Sequence, residues 1–341
     1  MNFTNKFLQS DFYKNAPTPT ISAGLSKTYT YMLKYPRIMV NVSGGADSDC
    51  MIDIVEHIRK LMPDYWYEDC FINYVWFDTG LEMEATKRHL TYLENKYDIK
   101  IHRVKSQKQV AQAVKEHGYP FLTKQQSEYI DRLQKHNFQW EDDTYENLVK
   151  KYPNCQSALR WWCNNWREEP HRPLQTEIAS KSYLKEFIIA NPPSFKISTK
   201  CCDYAKKHIG DKYRKQIDAQ IQFIGIRKAE GGTRSTTYNN CFIDGKHGIQ
   251  HFPLFWWTNE DKEEYEKYQK IKHSDAYTIY GCTRTGCAGC PFSANCFNEI
   301  EMLKTFEPNL AKAVSAIFKP ALEYRKHYIE FRDEMKKKNK K

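Results

Sequence analysis

The hydrophobic pattern of the first third of the chain alternates between two periodicities. Short apolar runs typical of buried strands are separated by segments with helical spacing. The first of these helices carries Met51, Ile54, Val55, Ile58, Leu61 and Met62 on one face. The predicted elements are a strand over Arg37–Val42, that helix, a strand over Phe71–Phe77, a helix over Glu82–Tyr97 and a strand over Ile99–Val104. This order, with short connections, predicts an α/β fold with a doubly wound, Rossmann-like parallel sheet.

The pattern changes after residue 119. A tryptophan-rich segment, Ala158–Trp166, and a predicted helix over Leu174–Ala190 indicate a helical insertion that ends at Asn191-Pro192-Pro193. A strand pattern returns over Gln220–Arg227. From Pro308 the chain is again predicted to be helical, with an interruption near residue 320.

Composition and charge narrow the class of protein. The chain has 341 residues, 40% of them hydrophobic, which excludes a disordered chain. No apolar run approaches the roughly 18 residues of a membrane span, and the N-terminus lacks an apolar core, so we expect a soluble, cytoplasmic protein with no membrane partner. A formal charge of +10 favours polyanions such as nucleotides or nucleic acid, with DNA or tRNA as candidate partners.

The sharpest chemical signal is the segment between the first strand and the first helix, Ser43-Gly44-Gly45-Ala46-Asp47-Ser48. The two glycines permit positive φ and close approach of an anion, and the helix N-terminus adds oriented N–H groups. Ser43 and Ser48 add hydroxyl donors. Asp47 would repel a phosphate unless a divalent cation lay between them, which predicts a magnesium-bridged polyphosphate. The segment is neither a Walker A loop nor a GxGxxG loop.

This loop resembles the SGGxDS loop of the PP-loop ATP pyrophosphatases. The resemblance implies an adenine nucleotide alpha-hydrolase-like fold that takes ATP, adenylyl sulfate or phosphoadenylyl sulfate with Mg²⁺. It implies that Ser43, Gly44, Gly45 and Ser48 hold the pyrophosphate and that Asp47 positions the metal. Enzymes of this superfamily often cleave ATP between the α and β phosphates and adenylate a substrate.

Three further segments resemble the phosphoadenosine phosphosulfate reductase branch of that superfamily. Asp78-Thr79-Gly80 closes the second strand and, by the resemblance, contacts the adenosine. Gly225–Ser235 follows the returning strand, and its Arg227 and Arg234 form a predicted phosphate or sulfate clamp that stabilises charge at the α-phosphate. Pro253–Thr258 is assigned a structural role, with Thr258 capping a helix through Asp261.

These segments predict a partition of the chain. It comprises an N-terminal extension (1–36), the first part of the nucleotide-binding core (37–119), a helical insertion (120–195), the second part of the core (196–258), and a Cys-rich segment with C-terminal helices (259–341).

The cysteines form two clusters. Cys-x2-Cys spacing lets two thiolates reach one metal centre, and a proline after the second cysteine is typical of iron–sulfur sites. Adenylyl-sulfate reductases bind a [4Fe–4S] cluster with a tandem Cys-Cys and a distant Cys-x2-Cys, and the positions that match are Cys201, Cys202, Cys287 and Cys290. An alternative set uses Cys282 and Cys296 with Cys287 and Cys290, and zinc is an alternative metal.

The chain departs from the reductases at one point. Sulfonucleotide reductases carry a nucleophilic cysteine in a C-terminal tail, whereas no cysteine follows Cys296 here. The favoured hypothesis is therefore an ATP-cleaving, adenylating enzyme for sulfur transfer to nucleic acid, most similar to the DNA phosphorothioation sulfurtransferases, with a partner protein as a possible source of sulfur or electrons. Two alternatives are a reductase with a nucleophile from elsewhere and a non-catalytic, nucleotide-sensing subunit of a defence or modification complex.

Overall fold

The computed structural model describes residues 4–165, 178, 182–231 and 237–339, and all structural statements refer to these. Its helices are, in chain order, α1 (Thr4–Gln9), α2 (Asp11–Lys14), α3 (Pro19–Lys34), α4 (Ala46–Arg59), α5 (Trp66–Asp69), α6 (Glu84–Tyr97), α7 (Val110–His117), α8 (Lys124–Lys135), α9 (Tyr145–Lys151), α10 (Gln156–Trp162), α11 (Leu184–Ala190), α12 (Lys200–Cys202), α13 (His208–Gln216), α14 (Asn259–Gln269), α15 (Asp275–Thr278), α16 (Cys296–Phe306), α17 (Pro308–Ile317) and α18 (Lys319–Lys338). None of these helices is long and apolar enough to span a membrane.

A six-stranded sheet forms the core of the first compact unit, which comprises Met1–Gln107 and Lys206–Cys287. Its strands are β1 (Arg37–Val42), β2 (Phe71–Asp78), β3 (Ile101–Lys105), β4 (Ile221–Ile224), β5 (Phe242–Gly245) and β6 (Gly248–His251). They lie in the order β3-β2-β1-β4-β6-β5, and only β5 pairs in the antiparallel direction. The mostly parallel sheet confirms the predicted fold class, whereas the β5–β6 hairpin was not predicted.

Helices cover both faces of this sheet. Along β1, Ile38, Val40 and Val42 enter a large apolar core with α3, α4 and α6. Met39 points the other way and packs with Val75 and with residues on and just after α13. This alternation of a buried strand between two helical layers is what a doubly wound sheet requires.

The second compact unit comprises Lys108–Ala205 and Ala288–Lys341, and its described part is mostly helical. Trp161 and Trp162 are fully buried in its apolar core, in agreement with packing rather than with an exposed base-stacking surface. Of the helix predicted over Leu174–Ala190, the described part is Leu184–Ala190. Most of the remainder lies outside the described residues, as do Trp166 and Arg167.

Candidate functional site

The loop that joins β1 to α4 lies where the direction of strand connection reverses. β1 pairs with β2 on one side and with β4 on the other, and ligands of open α/β sheets bind in the crevice at such a point. Gly44 has φ +68°, and a Cβ there would lie 2.6 Å from the methyl carbon of Thr86 on α6. Gly44 is therefore required both by the backbone conformation and by the close packing of α6.

The N-terminus of α4 has no capping side chain at its first position. Gly45 is the N-cap residue and makes no side-chain cap bond. Within the loop, the Ser43 N–H donates to Ser48 Oγ (3.1 Å) and the Gly45 N–H donates to Ser43 Oγ (3.2 Å). The serines thus fix the turn, and the positive end of the helix dipole faces the site without a carboxylate cap.

A buried ion pair joins this helix to the end of β4. Arg227 Nε donates to Asp47 Oδ1 (2.9 Å), and its Nη1 donates to the Thr258 carbonyl and to Asn259 Oδ1, both at 3.1 Å. Lys262 Nζ lies 3.5 Å from the same Asp47 oxygen. A Cβ at Gly225 would lie 3.1 Å from the Asp47 carbonyl carbon, so glycine allows β4 to approach the loop closely.

The electrostatics of this pair favour an ionised Asp47. Burial opposes ionisation, but a hydrogen bond shared with the Glu230 carboxyl and the charges of Arg227 and Lys262 outweigh it and lower the pKa of Asp47. The structure therefore gives Asp47 two cationic protein partners, of which the sequence had suggested neither.

A chain of polar contacts continues from this pair behind the loop. Lys262 Nζ lies 3.3 Å from Glu266 Oε1, which also lies 3.0 Å from His273 Nε2. His273 Nδ1 lies 2.8 Å from Asp49, which also contacts His89 at 3.0 Å. Burial alone would lower the pKa of His273, but its hydrogen bonds to Asp49 and Glu266 raise it to about 9. Two residues beyond Asp47, helix α4 is thus anchored by an imidazolium.

The carboxyl end of β2 brings a cysteine to the same edge of the sheet. Asp78 Oδ1 accepts from the Gly80 N–H (2.9 Å), and the buried Thr79 hydroxyl donates to Glu82 Oε1 (2.5 Å). Thr79 Oγ1 also lies 3.3 Å from Cys287 Sγ. Burial raises the pKa of Glu82 despite its bonds to Thr79. The adenosine role of Asp78, Thr79 and Gly80 stays a prediction.

The six candidate metal ligands differ in burial and position. Cys201 and Cys296 are buried, and Cys202, Cys282, Cys287 and Cys290 are half-buried. Cys282 and Cys287 belong to the first unit, and the other four to the second. In the part of the chain that the structure describes, no group of three or more His, Cys, Asp or Glu side chains is arranged to hold a metal ion. The iron–sulfur or zinc ligand set stays a prediction.

The remaining sequence predictions have separate outcomes. Thr258 and Asp261 form the predicted capping box at the start of α14. Arg234 lies outside the described residues, so the second half of the predicted arginine clamp stays a prediction.

Sequence reasoning missed one segment that covers the loop. The Ala46 N–H donates to the hydroxyl oxygen of Tyr277 (3.3 Å), which also accepts from the Thr285 N–H (3.2 Å). The Lys262–Glu266 pair on α14 could have been found from its i,i+4 spacing. Tyr277 and Thr285 carried no such signal, since they are more than 230 residues from the loop in sequence.

Known proteins resemble this chain to different degrees. An uncharacterized protein of Methanocaldococcus jannaschii is 26% identical over 271 residues, which are 79% of this chain and 38% of that protein. The chain therefore spans less than half the length of this relative.

Two solved structures resemble the chain at low sequence identity. A phosphoadenylyl-sulfate reductase from Candida auris, in a phosphate complex, has a TM-score of 0.41 at 10% identity and covers 77% of this chain and 87% of its own. The U34-tRNA thiolase NcsA from Methanococcus maripaludis, with its [4Fe-4S] cluster, has a TM-score of 0.39 at 11% identity. The match covers 91% of this chain and 78% of the thiolase. Similarity at this level establishes neither a substrate nor a cofactor for this chain.

The family itself is established by sequence. Residues 37–293, three quarters of the chain, match the phosphoadenosine phosphosulfate reductase domain. The matched region contains the β1–α4 loop, the end of β2 and the Gly225–Arg227 segment. The chain belongs to the phosphoadenosine phosphosulfate reductase domain family, within the PP-loop superfamily.

Proposed function

We propose that this protein binds ATP at the β1–α4 loop, cleaves it to AMP and pyrophosphate, and so adenylates an acceptor for sulfur transfer, with nucleic acid as the acceptor class. One observation carries the proposal. A helix N-terminus whose N-cap residue, Gly45, has no capping side chain lies with its glycine turn at the switch point of the sheet, beside the buried Arg227. Oriented amides and a helix dipole favour a polyphosphate at such a place.

In this proposal, backbone amides of the chain bind the polyphosphate and Arg227 stabilises its developing charge. The Gly45 and Ala46 amides at the head of α4 are the groups we expect to face the leaving pyrophosphate. Arg227, held by Asp47 and by the Thr258 carbonyl, is fixed in orientation and supplies positive charge at the edge of the site. A fixed cation stabilises charge that develops on the phosphate oxygens with little reorganisation.

Mg²⁺ suits the carboxylates beside the loop. Asp47 and Glu230 share a hydrogen bond, and their oxygens are of the kind that Mg²⁺ prefers. Arg227 and Lys262 already engage Asp47 Oδ1, so we expect the metal to take its ligands from the other oxygens of the Asp47 and Glu230 carboxyls. Bound there with ATP, the metal would neutralise charge on the polyphosphate.

The cysteines do not provide an assembled metal site among the described residues, and no step of the proposed reaction depends on one. Four thiolates would suit either a [4Fe–4S] cluster or zinc by donor chemistry. Metal analysis of the purified protein therefore decides whether these cysteines bind iron, zinc or neither.

The experiment is a search for pyrophosphate release from ATP in the presence of candidate acceptors. Purified protein is incubated with ATP, Mg²⁺ and DNA or tRNA, and pyrophosphate and AMP are measured separately. Equimolar AMP and pyrophosphate that depend on one acceptor support the proposal. Release of ADP and phosphate instead, or no turnover with any acceptor, contradicts it.

A reductase activity is the second candidate, and the contact between Thr79 and Cys287 favours it. This contact brings a thiol to the carboxyl end of β2, the edge of the sheet at which we expect a sulfonucleotide to bind. In that reaction the Cys287 thiolate attacks the sulfur of adenylyl sulfate, AMP leaves with the bonding electron pair, and a dithiol protein reduces the resulting S-sulfocysteine to release sulfite. Sulfite formation that requires a dithiol donor and is lost in Cys287→Ser would favour this candidate over adenylation.

A further inference from the structure

The segment Ser274–Cys287, here called the covering segment, lies over the β1–α4 loop. Its Tyr277 hydroxyl oxygen accepts hydrogen bonds from the Ala46 N–H at 3.3 Å and from the Thr285 N–H at 3.2 Å. Thr285 comes so close that a Cβ at Gly45 would lie 2.8 Å from its hydroxyl oxygen. Tyr277 thus contacts the amide that begins helix α4, and Thr285 lies against the glycine that precedes it.

The group that Tyr277 presents to this amide is a neutral oxygen. Burial raises the pKa of the Tyr277 phenol, although its hydrogen bonds with Thr285 and Ala46 oppose the shift. A helix N-terminus binds an anion more strongly than a neutral acceptor because the dipole and the amides both favour negative charge. The contact is therefore of the kind that a phosphate can replace.

We propose that Tyr277 occupies the phosphate position of the β1–α4 loop in the resting protein, and that a nucleotide polyphosphate displaces it and moves the covering segment. The inference rests on the proposed nucleotide binding and deepens it. Nucleotide binding would then control the position of the other residues of the covering segment.

The covering segment has the features needed to move. Gly281 has φ +74°, and a Cβ at either Gly281 or Gly286 would meet no atom within 4 Å, so the backbone at both ends of the Cys282–Thr285 stretch lies in open space. Ser274 and Ala276 anchor the start of the segment by burial, whereas its ion pair to α6, between Arg88 and Asp275 at 3.3 Å, is exposed. Exposed pairs of this kind contribute little stability.

Movement of the covering segment would also displace Cys287. Cys287 ends the covering segment, and its sulfur lies 3.3 Å from Thr79 Oγ1 in the resting arrangement. Displacement of Tyr277 pulls on Thr285, two residues before Cys287, through the hydrogen bond that joins them. Nucleotide binding is thereby coupled to the exposure of the Cys287 thiol.

The first test is the variant Tyr277→Phe, with Tyr280→Phe as its matched control. Tyr280 lies in the same segment, and its hydroxyl contacts Arg88 at 3.4 Å. Loss of the competing hydroxyl should tighten binding of ATP with Mg²⁺ about two- to tenfold in a calorimetric titration, as the net strength of one hydrogen bond implies. Tyr280→Phe should bind as the unmodified protein does. Equal or weaker binding by Tyr277→Phe overturns the inference.

The second test uses the unmodified protein and does not depend on a variant. Alkylation of Cys287 by iodoacetamide is followed by mass spectrometry with and without ATP and Mg²⁺, in protein from which a chelator has first removed any iron or zinc. The rate at Cys287 should rise several-fold with nucleotide, while the rate at Cys70, which lies near Arg59 at the opposite end of α4 from Ala46, should not change. A Cys287 rate that is unchanged or lowered when calorimetry shows ATP bound overturns the inference and leaves the proposed function standing. If calorimetry shows no ATP or adenylyl sulfate bound, both fail together.

Discussion

The ion pair between Arg227 and Asp47 is the contact on which the shape of the proposed site depends most. We expect Arg227→Met to destabilise the protein, because it removes the guanidinium. The mostly buried Asp47 carboxylate is then left with Lys262 as its remaining cationic partner. Both side chains of the pair are well buried, at 8% and 13% exposure. Arg227 also donates to the Thr258 carbonyl and to Asn259, and both bonds are lost.

The expected loss of unfolding free energy follows from these lost contacts. Breaking a buried pair by removing one partner costs about 3–5 kcal/mol, and the exposure of Asp47 with the presence of Lys262 places the expected loss near the lower value, about 3 kcal/mol. Asp47→Asn should cost a similar amount, since it leaves the Arg227 charge buried. The double variant should be less destabilised than the sum of the two, with a coupling of about 2 kcal/mol.

The assay is urea unfolding of the unmodified protein, both single variants and the double variant at pH 7. The pKa of Asp47 is lowered in the folded state, so its contribution is present above the unfolded pKa of a carboxyl and is lost as the pH falls through the folded value. The difference between the unmodified protein and Arg227→Met should therefore shrink on acidification below about pH 4. Additive effects to within about 0.5 kcal/mol, or a difference that grows in acid, would refute the reasoning.

Four further predictions concern the backbone, the half-buried His273, the helix cap and the metal. Gly225→Ala should weaken ATP turnover about tenfold, because its methyl group would lie 3.1 Å from the Asp47 carbonyl and push β4 away from the head of α4. Gly245→Ala, whose methyl group would have its nearest neighbour at 3.6 Å, should leave turnover unchanged. His273, with its pKa raised to about 9, contributes stability that is fully present below about pH 6.5 and is lost as the pH rises through 9; up to about 3 kcal/mol should vanish over that range, and His273→Gln should abolish this dependence in urea unfolding. Thr258→Ala should lower the unfolding free energy by about 1 kcal/mol through loss of the α14 cap, measured in the same way. Anaerobically purified protein should contain iron and acid-labile sulfide, and Cys287→Ser should lower both.

Each of these four predictions would be contradicted by a specific result. Equal turnover in the two glycine variants would remove the argument from close approach. A flat stability profile between pH 6.5 and 9 in the unmodified protein would mean that His273 is neutral when folded. A Thr258→Ala variant of unchanged stability would show that the cap is dispensable. Zinc without sulfide, or no metal at all, would contradict the cluster.

The local part of the site could be predicted from the sequence because its determinants are neighbours along the chain. The strand, the glycine turn and the helix over Arg37–Arg59 are specified by apolar periodicity and by the two glycines, so Ser43–Ser48 could be placed correctly. The cap at Thr258 was predictable for the same reason, since its partner Asp261 is three residues away.

The long-range part could not be predicted, because no local pattern links its members. Arg227 reaches Asp47 across 180 residues, and His273 reaches Asp49 across 224. Tyr277 of the covering segment is separated from Ala46 by 231 residues. A single sequence indicates that such polar residues exist, but their partners are decided by the packing of α14 and the covering segment against α4.

The most direct test of nucleotide binding at the β1–α4 loop is a crystal structure of the protein with the α,β-methylene analogue of ATP and Mg²⁺. This analogue cannot be cleaved between its α and β phosphorus atoms. We predict its terminal phosphates against the Gly44–Ala46 turn, with Arg227 at the edge of the site and the Tyr277 hydroxyl removed from the Ala46 amide. A nucleotide bound elsewhere, with this turn still closed by Tyr277, would contradict the account.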